Sequence, residues 1–455
     1  MRTFLRVGVL AALAAFLLAF PLGATAGHTS DPRTKNLHPK GHIFEPASLL
    51  NPAVANPDIH TDIAFWGKLA FQGNWDGFNI RDISDPDNPT QVSRTFCNGD
   101  QGDVVVWDDV LVRSWNSVTG PAGSTCDVQP VLPGFEGLHV FDISDLSDPE
   151  LVASVPLACG SHTATGVPDL VNGRLLVYSS SSAHDSTPPI NPNPPATCDW
   201  FDVVEVPLDD PADAMFLRAE PSDHTCHDIG VILGNAMKAA CAGGEGVRVF
   251  SLGGSGGGSL VDPLLKFHFT EPGVTIGHSA AWSWDGEVLI FGHEPGGGVD
   301  DQCKATDPVI NRSFFFYDGD TGAKLGMWTL PRPQSDAENC TLHNLNVVPL
   351  RSGRDVLVHG SYQSGTSVVD FTNPANPREL AWSDPPPIPV TFPTPFCQPP
   401  GCELGGVWSS YWYNNFIYET NITEGLNIFR FSGRATAGAK RLGHLNPQTQ
   451  EFTIG

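Results

Sequence analysis

The chain has 455 residues, with 47 glycines, 40 prolines and a net charge of −25 at pH 7. An acidic surface of this strength repels nucleic acid and anionic lipid, which argues against both as partners. Glycine and proline at this density, with no sustained 3.6-residue period beyond the N-terminus, exclude a helical fold and point to short strands and turns.

Residues 1–26 read as a secretory signal peptide. Arg2 and Arg6 precede an apolar run from Val7 to Phe20, and Ala24-Thr25-Ala26 is a small-residue cleavage site. Removing the two arginines takes the net charge from −25 to −27. No second apolar stretch follows, so a secreted, extracellular protein with no membrane span is expected. Residues 27–57, rich in proline and asparagine, read as an extension that packs on the domain after it.

The rest is organised by one phrase. Gly77 to Pro89 reads GFNIRDISDPDNP: a glycine, a strand of period two, then a turn that proline closes because it cannot donate to a sheet ladder. It returns at Gly137–Pro149 (GLHVFDISDLSDP) and Gly365–Pro377 (GTSVVDFTNPANP). Weaker copies lie at Phe201–Asp213, Gly246–Leu252, Ser313–Gly322 and Gly425–Phe431. Seven copies at intervals of roughly 45–70 residues are a repeat array. Each repeat divides into four strands, a to d, with the phrase as strand c. Four-stranded antiparallel units repeated seven times predict an all-β, seven-bladed β-propeller over residues 58–446, with a tail at 447–455. Lys440–Asn446 is taken as the last strand d, with no strand exchange closing the ring.

The phrase resembles that of the LVIVD-repeat family of secreted and surface bacterial proteins. Asp82-Ile83-Ser84-Asp85-Pro86 and Asp142-Ile143-Ser144-Asp145 match well, and Asp370-Phe371-Thr372-Asn373-Pro374 matches with substitutions. The resemblance implies a propeller and leaves the activity open.

The ten cysteines follow the strand frame. The connection into strand a and the loop between b and c lie on one face of a blade. Pairing within that face predicts Cys97–Cys126, Cys159–Cys198, Cys226–Cys241, Cys303–Cys340 and Cys397–Cys402. A metal–thiolate cluster is the rival, disfavoured by the lack of any CxxC pair.

Histidines follow the same frame. Six residues before the turn that ends each strand a stand His60, Gln101, His162, His227, His278, His343 and Gly406. Strand a is innermost in a blade, so five imidazoles are expected near the axis, on the cysteine face. His60, His162, His227, His278 and His343 are therefore the candidate ligands of a transition metal, copper, zinc or iron, with Asp62 and Asp228 as candidate orienting carboxylates. His184, His224, His293 and His359 fall nearby in the frame. The plainer alternative is that each ring bonds a loop carbonyl and plugs the channel. Axial histidines in propellers are similar to those of carotenoid-cleaving oxygenases and selenium-binding-type thiol oxidases in architecture alone, which is what suggests redox chemistry on a small molecule. The other expectation is a non-catalytic module, a monomer whose long loops bind an extracellular protein or glycan. Asp82, Asp85 and Asp87 lack the spacing of a calcium loop and read as turn formers. The tryptophans Trp66, Trp107, Trp284 and Trp412 are expected to pack between blades.

Overall fold

A computed structural model describes residues 28–46, 58–97, 101–115, 125–132, 135–181, 198–298, 301–332, 334–389 and 403–454. The expected signal peptide, His184 and the Cys397–Cys402 pair lie outside these.

Seven inner strands stand around one axis: His60–Trp66, Val104–Trp107, Thr163–Asp169, Asp228–Ile232, Gly277–Trp282, Leu345–Val347 and Val407–Tyr413. Each touches the next in chain order, and the last touches the first. Outward from each, three further strands pair antiparallel. The period-two pattern is buried on both faces. In the first blade Ala64 and Phe71 pack toward the second blade, while Ile63, Phe65 and Ala70 pack toward the seventh. The interior is thus seven apolar layers, one between each pair of neighbouring blades. The tryptophans sit in these layers, Trp66 edge-on to Trp107 at 5.3 Å.

The recurring phrase has a mechanical reason. A Cβ on Gly77 would lie 1.9 Å from the carbonyl oxygen of Thr95, on the outer strand beside it. Only glycine lets the strands approach so closely. The aspartates then cap the turn: Asp82 Oδ1 accepts the amide of Ser84 at 2.8 Å, and Asp85 Oδ1 that of Asp87 at 3.1 Å. Their side chains serve the turn, as the spacing suggests.

The ring closes differently from the expectation. The outer strand of the seventh blade is Leu37–Phe44, from the N-terminal extension, paired antiparallel with Gly425–Phe431. Gly425 faces the carbonyl of Ile43 as Gly77 faces Thr95, with a built Cβ only 2.4 Å away. The N-terminal strand therefore fills position d, and Lys440–Asn446 does not. Closing with a strand from the other end of the chain ties the two termini together and covers an edge.

The C-terminal segment instead runs round the inner strands and touches all seven blades. Lys440 N donates to Pro349 O at 2.7 Å, Leu442 N to Asn414 Oδ1 at 2.8 Å, and Gly67 N to Gly443 O at 2.7 Å. Asn446 makes a two-way bond with the backbone of Val106, Thr449 Oγ1 donates to Gly166 O, and Gln450 makes a two-way bond with Trp282. His444–Leu445 pairs with the first inner strand, and Thr449–Gln450 runs parallel to the fourth. Inner strands have no partner on their axial side, so their spare donors and acceptors must be met by something, and this segment meets them.

Four of the expected disulfides are present: Cys97–Cys126, Cys159–Cys198, Cys226–Cys241 and Cys303–Cys340. Among the described residues no cysteine is free. No helix among them is long and apolar enough to cross a membrane.

Candidate metal centre

The histidine column is positioned by hydroxyl groups. The residue after the column position donates to the carbonyl of the column residue in the next blade. Thr61 Oγ1 reaches Gln101 O at 2.6 Å, Thr163 Oγ1 reaches His227 O at 2.5 Å, and Ser279 Oγ reaches His343 O at 2.8 Å. Neighbouring inner strands are thereby held in register at the point where the imidazoles leave the backbone.

Four of the five candidate histidines come together in a row from four consecutive blades. His162 meets His227 edge-on at 4.5 Å between ring centroids, His227 meets His278 at 4.1 Å, and His278 meets His343 at 4.2 Å. Trp408 of the seventh blade ends the row, 4.9 Å from His343. His60 stands apart. Its Nε2 lies 2.8 Å from the carbonyl of Glu45, and the charges around it are Glu45, Arg81 and Asp58 rather than the other histidines. The N-terminal segment that closes the ring captures that ring.

At the centre of the row sits a residue the column did not contain, Glu294. Its Oε2 is 3.7 Å from His227 Nε2 and 3.8 Å from His278 Nε2, and its Oε1 is 3.8 Å from His343 Nε2. Glu294 follows the strand Val288–His293, which returns to the histidine face. A search along strand b ends for acids would have found it, whereas a column drawn on strand a could not. His293 turns away toward Thr275 and Ile310. His224 lies beside Cys241, and His359 packs between Phe314 and Trp328.

The far nitrogens of two rings are anchored. His343 Nδ1 is 2.6 Å from Trp408 O, so it is the protonated nitrogen and Nε2 carries the lone pair. His227 Nδ1 is 3.1 Å from Asp228 Oδ1, and His278 Nδ1 is 3.9 Å from Asp228 Oδ2. Three Nε2 atoms thus face one carboxylate, with His227, His278 and Glu294 close enough to share an ion. Anchoring of the second nitrogen is the usual support of a metal-binding imidazole.

The electrostatics fit neutral donors. Burial, then the charge of neighbouring His227, keeps His162 and His278 well below the usual imidazole range, and burial holds His343 down to about 3. His227 is the exception. Burial alone would lower it, but the hydrogen bond and charge of Asp228, with Glu294, raise it. Burial also raises Glu294. Behind the histidines lies a cavity of about 20 Å³, lined by Asp62, Asp103, Asp228 and Gln448 among others, room for one water-sized molecule. Asp62 accepts from Gln448 of the C-terminal segment at 2.8 Å, and burial followed by the charge of Asp62 pushes Asp103 well above the usual range.

A family model described as LVIVD repeat matches residues 60–95 and 134–156. The chain carries LVIVD repeats. The matched segments are the first blade and the outer half of the second. No curated protein matches the chain. Among solved structures it is similar to the WD40 β-propeller domain of Doa1, at 11% identity and a TM-score of 0.50, over 89% of this chain and 99% of that one. It also matches a computationally designed protein, Ika8, at 10% identity and a TM-score of 0.42, over 82% of this chain and 96% of that one. The likeness to the Doa1 domain shows the fold alone. The LVIVD repeats thus map onto propeller blades, as the phrase implied.

Proposed function

We propose that this LVIVD-repeat propeller is a secreted protein that binds one divalent transition metal ion, of the copper, zinc or iron class, at the mouth of its central channel. His227, His278, His343 and Glu294 are the ligands, and His162 borders them. One observation carries the reading: three imidazoles from three blades turn their Nε2 atoms toward a single buried carboxylate. Imidazole nitrogen with one carboxylate oxygen is a donor set suited to those ions. Burial keeps His162, His278 and His343 neutral, so their lone pairs are free for a cation. A cation would also balance the charge of a buried Glu294 carboxylate.

Such an ion would act as a Lewis acid or redox centre on a small molecule. The cavity beside the histidines is too small for an organic substrate, so the site would take a molecule no larger than water unless its surroundings move. The protein's own part is to hold three neutral donors, to keep the His227 proton on the Asp228 side, and to exclude bulk water. Four disulfides near that face suit an oxidising compartment.

Elemental analysis of the purified full chain tests this. About one equivalent of transition metal is expected, lost in a folded variant carrying His227→Ala and His278→Ala. Sub-stoichiometric metal after incubation with each ion in turn would refute the site and favour the non-catalytic binding module.

A further inference from the structure

The turn Ser361–Gly365 in the sixth blade carries a backbone outlier. Tyr362 has φ of +39°, a region that residues other than glycine seldom adopt, and least of all bulky ones. It is held there by the seventh blade. Tyr362 N donates to Val407 O at 2.9 Å, Val407 N donates to Tyr362 O at 2.8 Å, and Gly365 N donates to the same carbonyl at 3.0 Å. Gly406 makes the space, since a Cβ there would lie 2.4 Å from the Tyr362 carbonyl carbon. This explains why the histidine column ends in glycine at the seventh blade.

The outlier aims a phenol at the candidate centre. Tyr362 Oη donates to Glu294 Oε1 at 2.9 Å, and its ring lies 4.5 Å from that of His343. Gly298 backs the hydroxyl, where an added Cβ would stand 2.7 Å from the oxygen. Strain held by surrounding contacts at a functional site is a recognised pattern, and here the contacts that hold it are visible.

We propose that Tyr362 is a positioning residue that makes Glu294 bind its ion through one oxygen only, an inference that rests on the metal reading above. The carboxylate is divided between its neighbours. Oε2 faces His227 and His278, while Oε1 lies 3.8 Å from His343 Nε2 and carries the phenol hydrogen bond. A neutral phenol donates one O–H, and the oxygen that accepts it is the weaker donor to a cation. Oε2 is left as the ligand, the coordination number stays low, and a position remains open for a substrate.

Cobalt(II) reads this directly, because four-coordinate cobalt absorbs visible light far more strongly than five- or six-coordinate cobalt. The full chain, stripped of metal, is titrated with cobalt(II) as wild type, Tyr362→Phe and Ser364→Ala. Ser364 shares the turn, and its hydroxyl bonds Ser361 O rather than Glu294. The expected result is an intense band in wild type and Ser364→Ala, and a severalfold weaker band at full cobalt occupancy in Tyr362→Phe. Thermal melts confirm that each variant is folded. Superimposable spectra for wild type and Tyr362→Phe would overturn the role of Tyr362 while leaving the metal site standing, as would a weak band already in wild type. No cobalt uptake by wild type would overturn the metal reading and this inference with it.

Discussion

Asp228→Asn isolates the support of the histidines from the ligands themselves. Asp228 Oδ1 lies 3.1 Å from His227 Nδ1 and anchors that ring, while Oδ2, at 3.9 Å from His278 Nδ1, acts on the second ring through its charge alone. Asparagine has the same shape and leaves no cavity. Its amide can offer an N–H where the carboxylate only accepts, which would place the imidazole proton on Nε2, the atom that faces Glu294. Loss of such an anchoring partner costs about 10–100-fold in metal affinity. At about 1.4 kcal/mol per tenfold, that is about 1.4–2.8 kcal/mol. The closer bond to His227 should carry most of it. The assay is competition for zinc or copper against a chromophoric chelator, using stripped full-length protein. Asp202→Asn is the control: that carboxyl is also buried, but it lies beside Trp200 in the third blade. Affinity of Asp228→Asn within about twofold of wild type, less than the smallest loss expected of an anchoring partner, would refute the reasoning. An equal loss in Asp202→Asn would also do so, by pointing to general destabilisation.

Metal affinity should depend on pH through His227. Its folded pKa is raised above the ordinary imidazole value, so the free protein keeps that proton to higher pH than an ordinary histidine and binding must expel it. Affinity should fall as pH drops through this raised value and level off above it. His343, held to about 3, stays silent over that range. Affinity that does not fall as the pH is lowered through and below the ordinary imidazole range would count against the assignment. His60→Ala should leave metal affinity unchanged, since the ring serves Glu45 O; a loss equal to that of His227→Ala would return His60 to the site. Deleting residues 439–455 should lower the melting temperature markedly. Leu442 and Leu445 are only 6% and 3% exposed, and burying each is worth about 1.5–3 kcal/mol. An unchanged melt would show that the segment is not a tie. Peptide mapping without reduction should recover Cys97–Cys126, Cys159–Cys198, Cys226–Cys241 and Cys303–Cys340. Replacing Cys226 and Cys241 by serine opens a loop of separation 15 and should cost about 3 kcal/mol in denaturant melts.

The propeller could be read from the chain because its signals are local. Period-two burial, the glycine that lets two strands meet and the aspartate that caps the next turn all act within about two dozen residues, and the blades repeat this pattern with variations. The cysteine pairs followed from that frame, since residues on one face of one blade are already close. The convergence of His162, His227, His278 and His343 followed as well, because equal positions in adjacent blades become neighbours once the ring is closed. Three features could not be found this way. Leu37–Phe44 pairs with Gly425–Phe431 across nearly the whole chain, and nothing local distinguishes a closing strand from a linker. His60 was drawn out of the row by Glu45, which that same closing segment brings in. Glu294 and Tyr362 stand on strand ends and turns of two different blades, and only the packed ring sets the carboxylate among the imidazoles and the phenol against it. Repetition along the chain decided which side chains face the axis. Which of them meet there was decided by the termini and loops, whose contacts join residues far apart in sequence and leave no period to read.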